Sequence, residues 1–138
     1  MTNQEKIKIL KSYCLNVKEL TIIEDRLKEL RLRYLSPKSS TLSNMPRGTN
    51  TIKDNMCSNM IAFEKLEGMI VKKQEKVYNE QARIEKMINA LNDQIHRQVL
   101  TVRYLQGNTW ERTCVVLNYS WTQIHRLHVR ALNELEVN

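Results

Sequence analysis

Apolar residues recur at intervals of three and four along two long stretches of this sequence, a periodicity that is typical of amphipathic helices. The intervals hold over residues 4–35 and again from about Ile52 to Leu91. A helix of about 30 residues is about 45 Å long, which is too long to be buried inside a compact domain. Only 3 glycines and 2 prolines occur among 138 residues, too few for the frequent turns of an all-β protein. The sequence therefore predicts an all-α fold dominated by long helices.

A segment rich in turn-forming residues separates the two periodic stretches. Residues 36–51 contain both prolines, one glycine, four serines and three threonines, and this composition predicts a flexible connector. Two amphipathic helices joined by a loop usually fold back on each other, so residues 1–91 are predicted to form a long antiparallel, coiled-coil-like hairpin. Pairing between two chains is the alternative, because one partner cannot fully cover the apolar seam of each helix. The seam of the first helix is predicted to begin with Ile7, Leu10, Cys14 and Val17.

The chain changes to shorter helical segments from residue 92. These segments are predicted at residues 95–106, 109–118 and 120–136. Asp93, Thr109 and Ser120 are suited to be their N-caps, and Gly107 is suited to end the first of them. Because the turn between the last two segments is only about three residues long, residues 92–138 are predicted to form a helix-turn-helix domain.

The C-terminal third carries a specific resemblance. Residues 99–135, VLTVRYLQGNTWERTCVVLNYSWTQIHRLHVRALNEL, resemble region 4 of bacterial sigma factors of the major class. Most of the chain resembles phage and prophage regulators of the ArpU/RinA type, which combine a lysine-rich helix, a serine-rich connector, a second long helix and a sigma-region-4-like C-terminus. The segments that carry this closer resemblance are LKELR (residues 27–31), SPKSS (residues 36–40) and RYLQGNTWE (residues 103–111).

The resemblance implies a set of DNA-binding residues, because the last helix of sigma-like domains enters the major groove. On this sequence the corresponding residues are Thr109, Ser120, Trp121, Thr122, Gln123, His125 and Arg126. Their chemistry permits base contacts: Arg126 can pair with guanine, Gln123 with adenine, and Thr122 can contact a thymine methyl group. Thr109 is expected near a phosphate, at the N-terminus of its helix.

Three positions depart from the sigma pattern, among them Arg112, which stands where an acidic residue is commoner. Sigma factors usually carry a charged residue at the position of Trp121, so this chain is expected to bind a different DNA sequence. Thr113 stands where an apolar core residue is commoner, which predicts a weaker contact between the two helices.

The charge of the chain favours a polyanionic partner, with a net charge of +7 and a pI of about 9.5. Residues 91–138, however, contain five arginines and no lysine against four acidic residues, so most of the excess positive charge lies elsewhere. The long helices or the connector, through Lys38 and Arg47, are therefore expected to add phosphate contacts. Residues 91–138 alone are predicted to bind DNA less tightly than the full chain.

Nothing in the sequence indicates an enzyme or a cofactor site. Cys14, Cys57 and Cys114 have no CxxC spacing, which argues against a disulfide framework or a zinc site and favours a reducing cytoplasm. His125 and His128 could be drawn as metal ligands, but a zinc site needs three or four ligands, and both are expected to face solvent or DNA. We also expect no signal peptide and no membrane span.

The resemblance implies a sequence-specific DNA-binding transcriptional regulator of phage or prophage genes, with late-gene activation as its role. Double-stranded DNA is then the main partner, RNA polymerase a second one, and the long helices could support a homo-oligomer. Two alternatives stay open: a DNA-recognition subunit of phage packaging, similar to a small terminase, and a coiled-coil protein that contacts RNA polymerase without binding DNA.

Overall fold

A computed structural model describes the backbone of residues 1–34 and 49–137, and the side chains of residues 1–34 and 58–137. Every regular element in these ranges is a helix, which confirms the predicted all-α fold. In chain order the elements are α1 (Asn3–Tyr34), α2 (Thr49–Asn89), α3 (Gln94–Leu100), a π-helical turn (Thr101–Leu105), α4 (Trp110–Leu117) and α5 (Trp121–Glu134). Most of the predicted connector, including Lys38 and Arg47, lies outside the described residues, and α2 begins at Thr49, slightly before its predicted start.

The chain divides into two compact units, Met1–Val17 with Lys76–Asn138, and Lys18–Glu75. In the second unit α1 and α2 lie antiparallel. Arg31 Nη2 is 2.5 Å from Glu67 Oε1, whereas Glu19, earlier in α1, pairs with Lys73, later in α2. Between the helices the buried side chains are Leu27, Phe63 and Ile70. The long helices therefore pair within one chain, as in the predicted hairpin.

The first unit joins the start of α1 to the end of α2 and to the shorter helices. Asn16 Nδ2 donates to the carboxylate of Glu80 on α2, and Lys6 Nζ donates to the carbonyl oxygen of Leu132 on α5. Because this part of α1 is packed against both helices, its buried side chains within the first unit are Lys6, Leu10 and Tyr13. Leu10 of the predicted seam is therefore confirmed, whereas Ile7, Cys14 and Val17 are half-buried, and Lys6 and Tyr13 are buried in place of Ile7 and Cys14. The boundary predicted between residues 91 and 92 falls inside this unit.

Local capping signals determine where the short helices begin and end. The Asp93 carboxylate accepts a hydrogen bond from the Ile95 amide at the start of α3. Gly107 has φ of +69°, and Asn118, the C-cap of α4, has φ of 57°. Such left-handed conformations end helices, so the stop predicted at Gly107 is confirmed, and Asn118 ends α4 in the same way. The predicted helix over residues 95–106 is one continuous stretch, but its second half is a π-helical turn.

Candidate nucleic-acid interface

The N-terminus of α5 is fixed by a reciprocal capping box. The Gln123 amide donates to Ser120 Oγ at 3.3 Å, and the Ser120 amide donates to Gln123 Oε1 at 3.1 Å. Two backbone N–H groups that a helix start leaves without partners are thereby satisfied. The amide oxygen of Gln123, which the predicted adenine contact would need, is thus already engaged by the chain itself.

The face of α5 that points away from the core is defined by burial. Ile124, His128, Ala131 and Leu132 are buried, while Thr122, Arg126 and Arg130 follow one another at intervals of four residues and are all exposed. Residues four apart lie on one face of a helix, so these three side chains form a polar row along α5. No acidic residue occurs from Trp121 to Asn133.

A second row, parallel to the first, consists of Trp121, His125 and Val129. Trp121 is 51% exposed and Val129 is 49% exposed, whereas His125 is half-buried. The two rows line one open groove on the surface of α5. We call these six residues, Trp121, Thr122, His125, Arg126, Val129 and Arg130, the α5 face. Of the residues predicted from the sequence, Trp121, Thr122, His125 and Arg126 belong to it, and Thr109, Ser120 and Gln123 do not.

Stacked aromatic rings connect the α5 face to α4. The ring of His125 lies 4.6 Å from that of Trp121 and 4.7 Å from that of Trp110. Trp110 also meets the ring of His128 edge to face at 4.6 Å. The Arg103 guanidinium lies over the ring of Trp110, 4.9 Å from its centroid. Such contacts add about 0.5–1.5 kcal/mol each beyond area burial. Trp110 is half-buried in this stack, and Trp121 is held in position by it.

His128 turns toward the core, so the prediction that it faces solvent or DNA was wrong. Its Nε2 lies 2.8 Å from the hydroxyl oxygen of Tyr104, and both residues are buried. Burial lowers the pKa of His128 to about 4, with smaller contributions from the neighbouring basic side chains of His125, Arg103 and Lys11. Burial also raises the pKa of Tyr104 to about 12. The pair is therefore neutral near pH 7 and belongs to the structural support of α5 rather than to its outer face.

Thr109 and Thr113 together shape the start of α4. Thr109 Oγ1 accepts from the Arg112 amide at 3.2 Å, so the predicted N-cap is confirmed, and the residue is exposed. Thr113 is fully buried, and its hydroxyl donates to the carbonyl oxygen of Thr109 at 2.8 Å. A buried hydroxyl costs little once it is hydrogen-bonded, which explains how a threonine is accommodated at this position.

Both ends of α5 are anchored, and its C-terminal anchors come from distant parts of the sequence. Besides the Lys6 contact at 2.6 Å, Asn3 Nδ2 donates to Asn133 Oδ1 at 2.7 Å. Glu134 accepts from the Asn92 amide at 3.0 Å and lies 2.8 Å from His96 Nδ1. The hydrogen bond with His96 is the main reason that the pKa of Glu134 is lowered. This carboxylate is therefore engaged at the end of α5 opposite to the capping box.

Sequence reasoning missed Lys6, Val129 and Arg130. A signal existed for each: Lys6 is spaced four residues before Leu10, on the buried face of α1, and Arg130 and Val129 follow Arg126 and His125 by four residues.

Cys14, predicted to be part of the α1 seam, is half-buried and its thiol lies 3.2 Å from the carbonyl oxygen of Tyr104.

No group of three or more histidine, cysteine, aspartate or glutamate side chains in the described residues could hold a metal ion. None of the helices described is long and apolar enough to cross a membrane.

Comparison with known proteins identifies a family for this chain, and the description of that family names no activity. No curated protein matches this chain, and no solved structure does either. The model of one family, described as protein of unknown function (DUF1492), matches residues 34–136. The resemblance to regulators of the ArpU/RinA type stays a prediction beside this match. Since the match covers well over half of the sequence, including the whole of α2 to α5, the chain belongs to the DUF1492 family.

Proposed function

We propose that this protein binds double-stranded DNA in a sequence-specific manner and that the α5 face enters the major groove. The observation that carries the proposal is the composition of this face: two exposed arginines, an exposed threonine and an exposed tryptophan on a capped helix with no acidic residue from Trp121 to Asn133. A major groove is about 12 Å wide and admits an α-helix. Among the ligands that could bind the α5 face, a polyanion with polar base edges fits best.

Each exposed residue has a role in this proposal. Arg126, one turn inside α5, donates a bidentate pair to guanine, and Thr122 contacts a base edge beside it. Arg130, a turn further along, binds a phosphate. Thr109 brings the N-terminus of α4, with its free N–H groups, to a second phosphate. His125 acts mainly by supporting Trp121, because it is packed between two indole rings.

We further propose that the chain is a transcriptional regulator of phage or prophage genes, and an activator of late genes. This finer statement rests on the resemblance of residues 99–135 to sigma region 4. RNA polymerase is then a second partner. One observation favours a contact with a second protein. Val115 and Val116, which are adjacent on α4, are 66% and 45% exposed. A helix that contacts only phosphate groups does not need this much exposed apolar surface.

Self-association through the long helices is part of the same proposal. In the unit Lys18–Glu75, large apolar side chains are exposed at Ile22, Leu32, Met60, Ile61, Met69 and Val71. A dimer would bind two half-sites about 34–36 Å apart, one helical turn of DNA. Protection of a single half-site by a monomer would contradict this arrangement.

The test of the proposed function is selection of binding sites from random duplex DNA by the purified full chain. We choose about 150 mM salt because non-specific phosphate binding weakens steeply as salt rises. Enrichment of one sequence family supports the proposal. If the enriched sequence occurs at the packaging site of a phage genome and the protein forms a ring-shaped oligomer, the packaging subunit is favoured instead. No enrichment, with retained binding to RNA polymerase, would favour a protein-binding role without DNA.

A further inference from the structure

The row Trp121, His125 and Val129 presents apolar surface where a DNA-binding helix usually presents polar groups. Trp121 and Val129 leave about half of their surface exposed, at 51% and 49%. The core does not use this surface, since α5 already buries Ile124, Ala131 and Leu132 on another side. Two large apolar side chains beside a row of arginines are therefore available to a ligand that is both apolar and anionic.

We propose that Trp121 and Val129 recognise the 5-methyl groups of thymines in the major groove. This inference rests on the proposed function, and it names the base chemistry that the α5 face selects. In the major groove of unmodified DNA, the thymine methyl group is the apolar group that distinguishes one base from the others. The adjacent row of Arg126 and Arg130 matches the phosphate charge of the same ligand. RNA is disfavoured, because the major groove of an A-form helix is too deep and narrow for side chains to read.

The stack behind Trp121 makes it suited to a specific contact. His125 packs on Trp121 at 4.6 Å and is itself packed on Trp110 at 4.7 Å. An indole that is already held loses little side-chain entropy when it binds. The capping box at Ser120 and Gln123 further fixes the first turn, in which Trp121 lies.

The spacing along α5 sets the spacing along the DNA. Trp121 and Val129 are two turns apart, which corresponds to about 12 Å along the helix axis. Successive base pairs are about 3.4 Å apart. For a helix that lies along the groove, the two methyl contacts are therefore about three to four base pairs apart, and the arginine contact lies between them.

The experiment replaces thymine by uracil in the duplex obtained from the random-DNA selection. Uracil keeps every hydrogen-bonding group of thymine and removes only the 5-methyl group. Each contacted methyl group is expected to change Kd about 4-fold, because burial of one such group is worth about 0.8 kcal/mol. Uracil is introduced at one thymine at a time, and Kd is measured for the wild-type full chain at constant salt.

Variants of the protein identify the side chain that contacts each methyl group. We call the change in Kd on replacing one thymine by uracil the uracil effect at that thymine. Trp121→Ala should abolish the uracil effect at one thymine, and Val129→Ala should abolish it at a second thymine, three to four base pairs away. Leu15→Ala is the matched control, since Leu15 is also apolar and exposed but lies on α1; it should leave both effects unchanged. Arg126→Ala should weaken binding to all of these duplexes while the uracil effects persist.

The outcomes separate this inference from the proposed function. A selected duplex that the protein binds equally well with thymine or uracil at every position overturns the inference and leaves DNA binding intact. Uracil effects that all persist in both Trp121→Ala and Val129→Ala also overturn it, because neither side chain would then contact a thymine methyl group. If no duplex is selected at all, the proposed function and the inference fail together.

Discussion

Lys6 Nζ donates a hydrogen bond of 2.6 Å to the carbonyl oxygen of Leu132, although the two residues are 126 positions apart in the sequence. Lys6 is only 9% exposed, and Leu132 lies in the last turn of α5, whose carbonyl groups have no partners within the helix. A positive charge at this end also interacts favourably with the helix dipole. The first turn of α1 is thus a C-terminal cap of the helix that we propose to bind DNA.

Replacing Lys6 by methionine should destabilise the protein, because methionine keeps most of the apolar stem and removes the donor. We expect the free energy of unfolding to fall by about 1.5–3 kcal/mol, the range for hydrogen bonds to charged groups. Urea denaturation followed by circular dichroism measures it. Lys8→Met is the matched control, since Lys8 is exposed, and it should change stability by less than about 0.5 kcal/mol. Equal effects of the two substitutions would contradict this role of Lys6.

Residues 91–138 alone should bind the selected duplex less tightly than the full chain. The fragment lacks the contacts of Lys6 with Leu132 and of Cys14 with Tyr104, and it also lacks most of the excess positive charge. Fluorescence anisotropy at one salt concentration compares the two. Equal affinity would show that neither the α1 contacts nor the remaining charge contributes to binding.

The protein should lose stability as the pH falls from about 7.5 to 5, because His128 is buried and neutral. Its pKa of about 4 in the folded chain lies below the ordinary value of 6.5, so the unfolded chain binds the proton more readily. Stability from this group is therefore complete above about pH 6.5 and is lost progressively as the pH falls toward 4. From the two pKa values we expect a loss of about 2 kcal/mol between pH 7.5 and 5.

Replacing His128 by glutamine isolates this pH effect. Glutamine retains a partner for the hydroxyl group of Tyr104 but does not titrate. The variant should be less stable at pH 7.5, and its stability should change less than that of the wild type as the pH falls to 5. Parallel stability curves for the two proteins would contradict the assignment of the pH effect to His128.

Replacing Gln123 by glutamate separates its capping role from a base contact. Glutamate also completes a capping box, so the free energy of unfolding should stay within about 0.5 kcal/mol of the wild type. A carboxylate has no N–H donor for the major-groove edge of adenine. If Gln123 contacts adenine, the variant loses preference for that base in the selected duplex. Because its Oε1 is engaged by Ser120, we predict unchanged base preference at every position.

The sequence predicted the features of this fold that depend on neighbouring residues. The N-caps at Asp93, Thr109 and Ser120 follow from hydrogen bonds between residues two or three apart. Gly107 and Asn118 end their helices because both adopt positive φ. In each case the stabilising partner is local, and a short sequence segment contains all of the information.

Features that depend on distant contacts were predicted less well. The buried face of α1 is rotated from the predicted seam because this helix packs on both α2 and α5, so Lys6 and Tyr13 are buried in place of Ile7 and Cys14. The orientation of His128 depends on Tyr104, which is 24 residues away. For the candidate site, Trp121, Thr122, His125 and Arg126 were predicted through the resemblance. Arg130 and Val129 became visible only when burial had defined the outward face of α5.

The central claim, that the α5 face binds DNA, is tested most directly by the affinity of Arg126→Ala for the selected duplex. Arg33→Ala is the matched control, because Arg33 is an exposed arginine of the unit Lys18–Glu75. We predict that Arg126→Ala raises Kd by about 5- to 150-fold, corresponding to about 1–3 kcal/mol, and relaxes the base preference at one position. Arg33→Ala should have a smaller effect and leave the base preference unchanged. If both variants bind the duplex as tightly and as selectively as the wild type, the α5 face is not the DNA-binding surface.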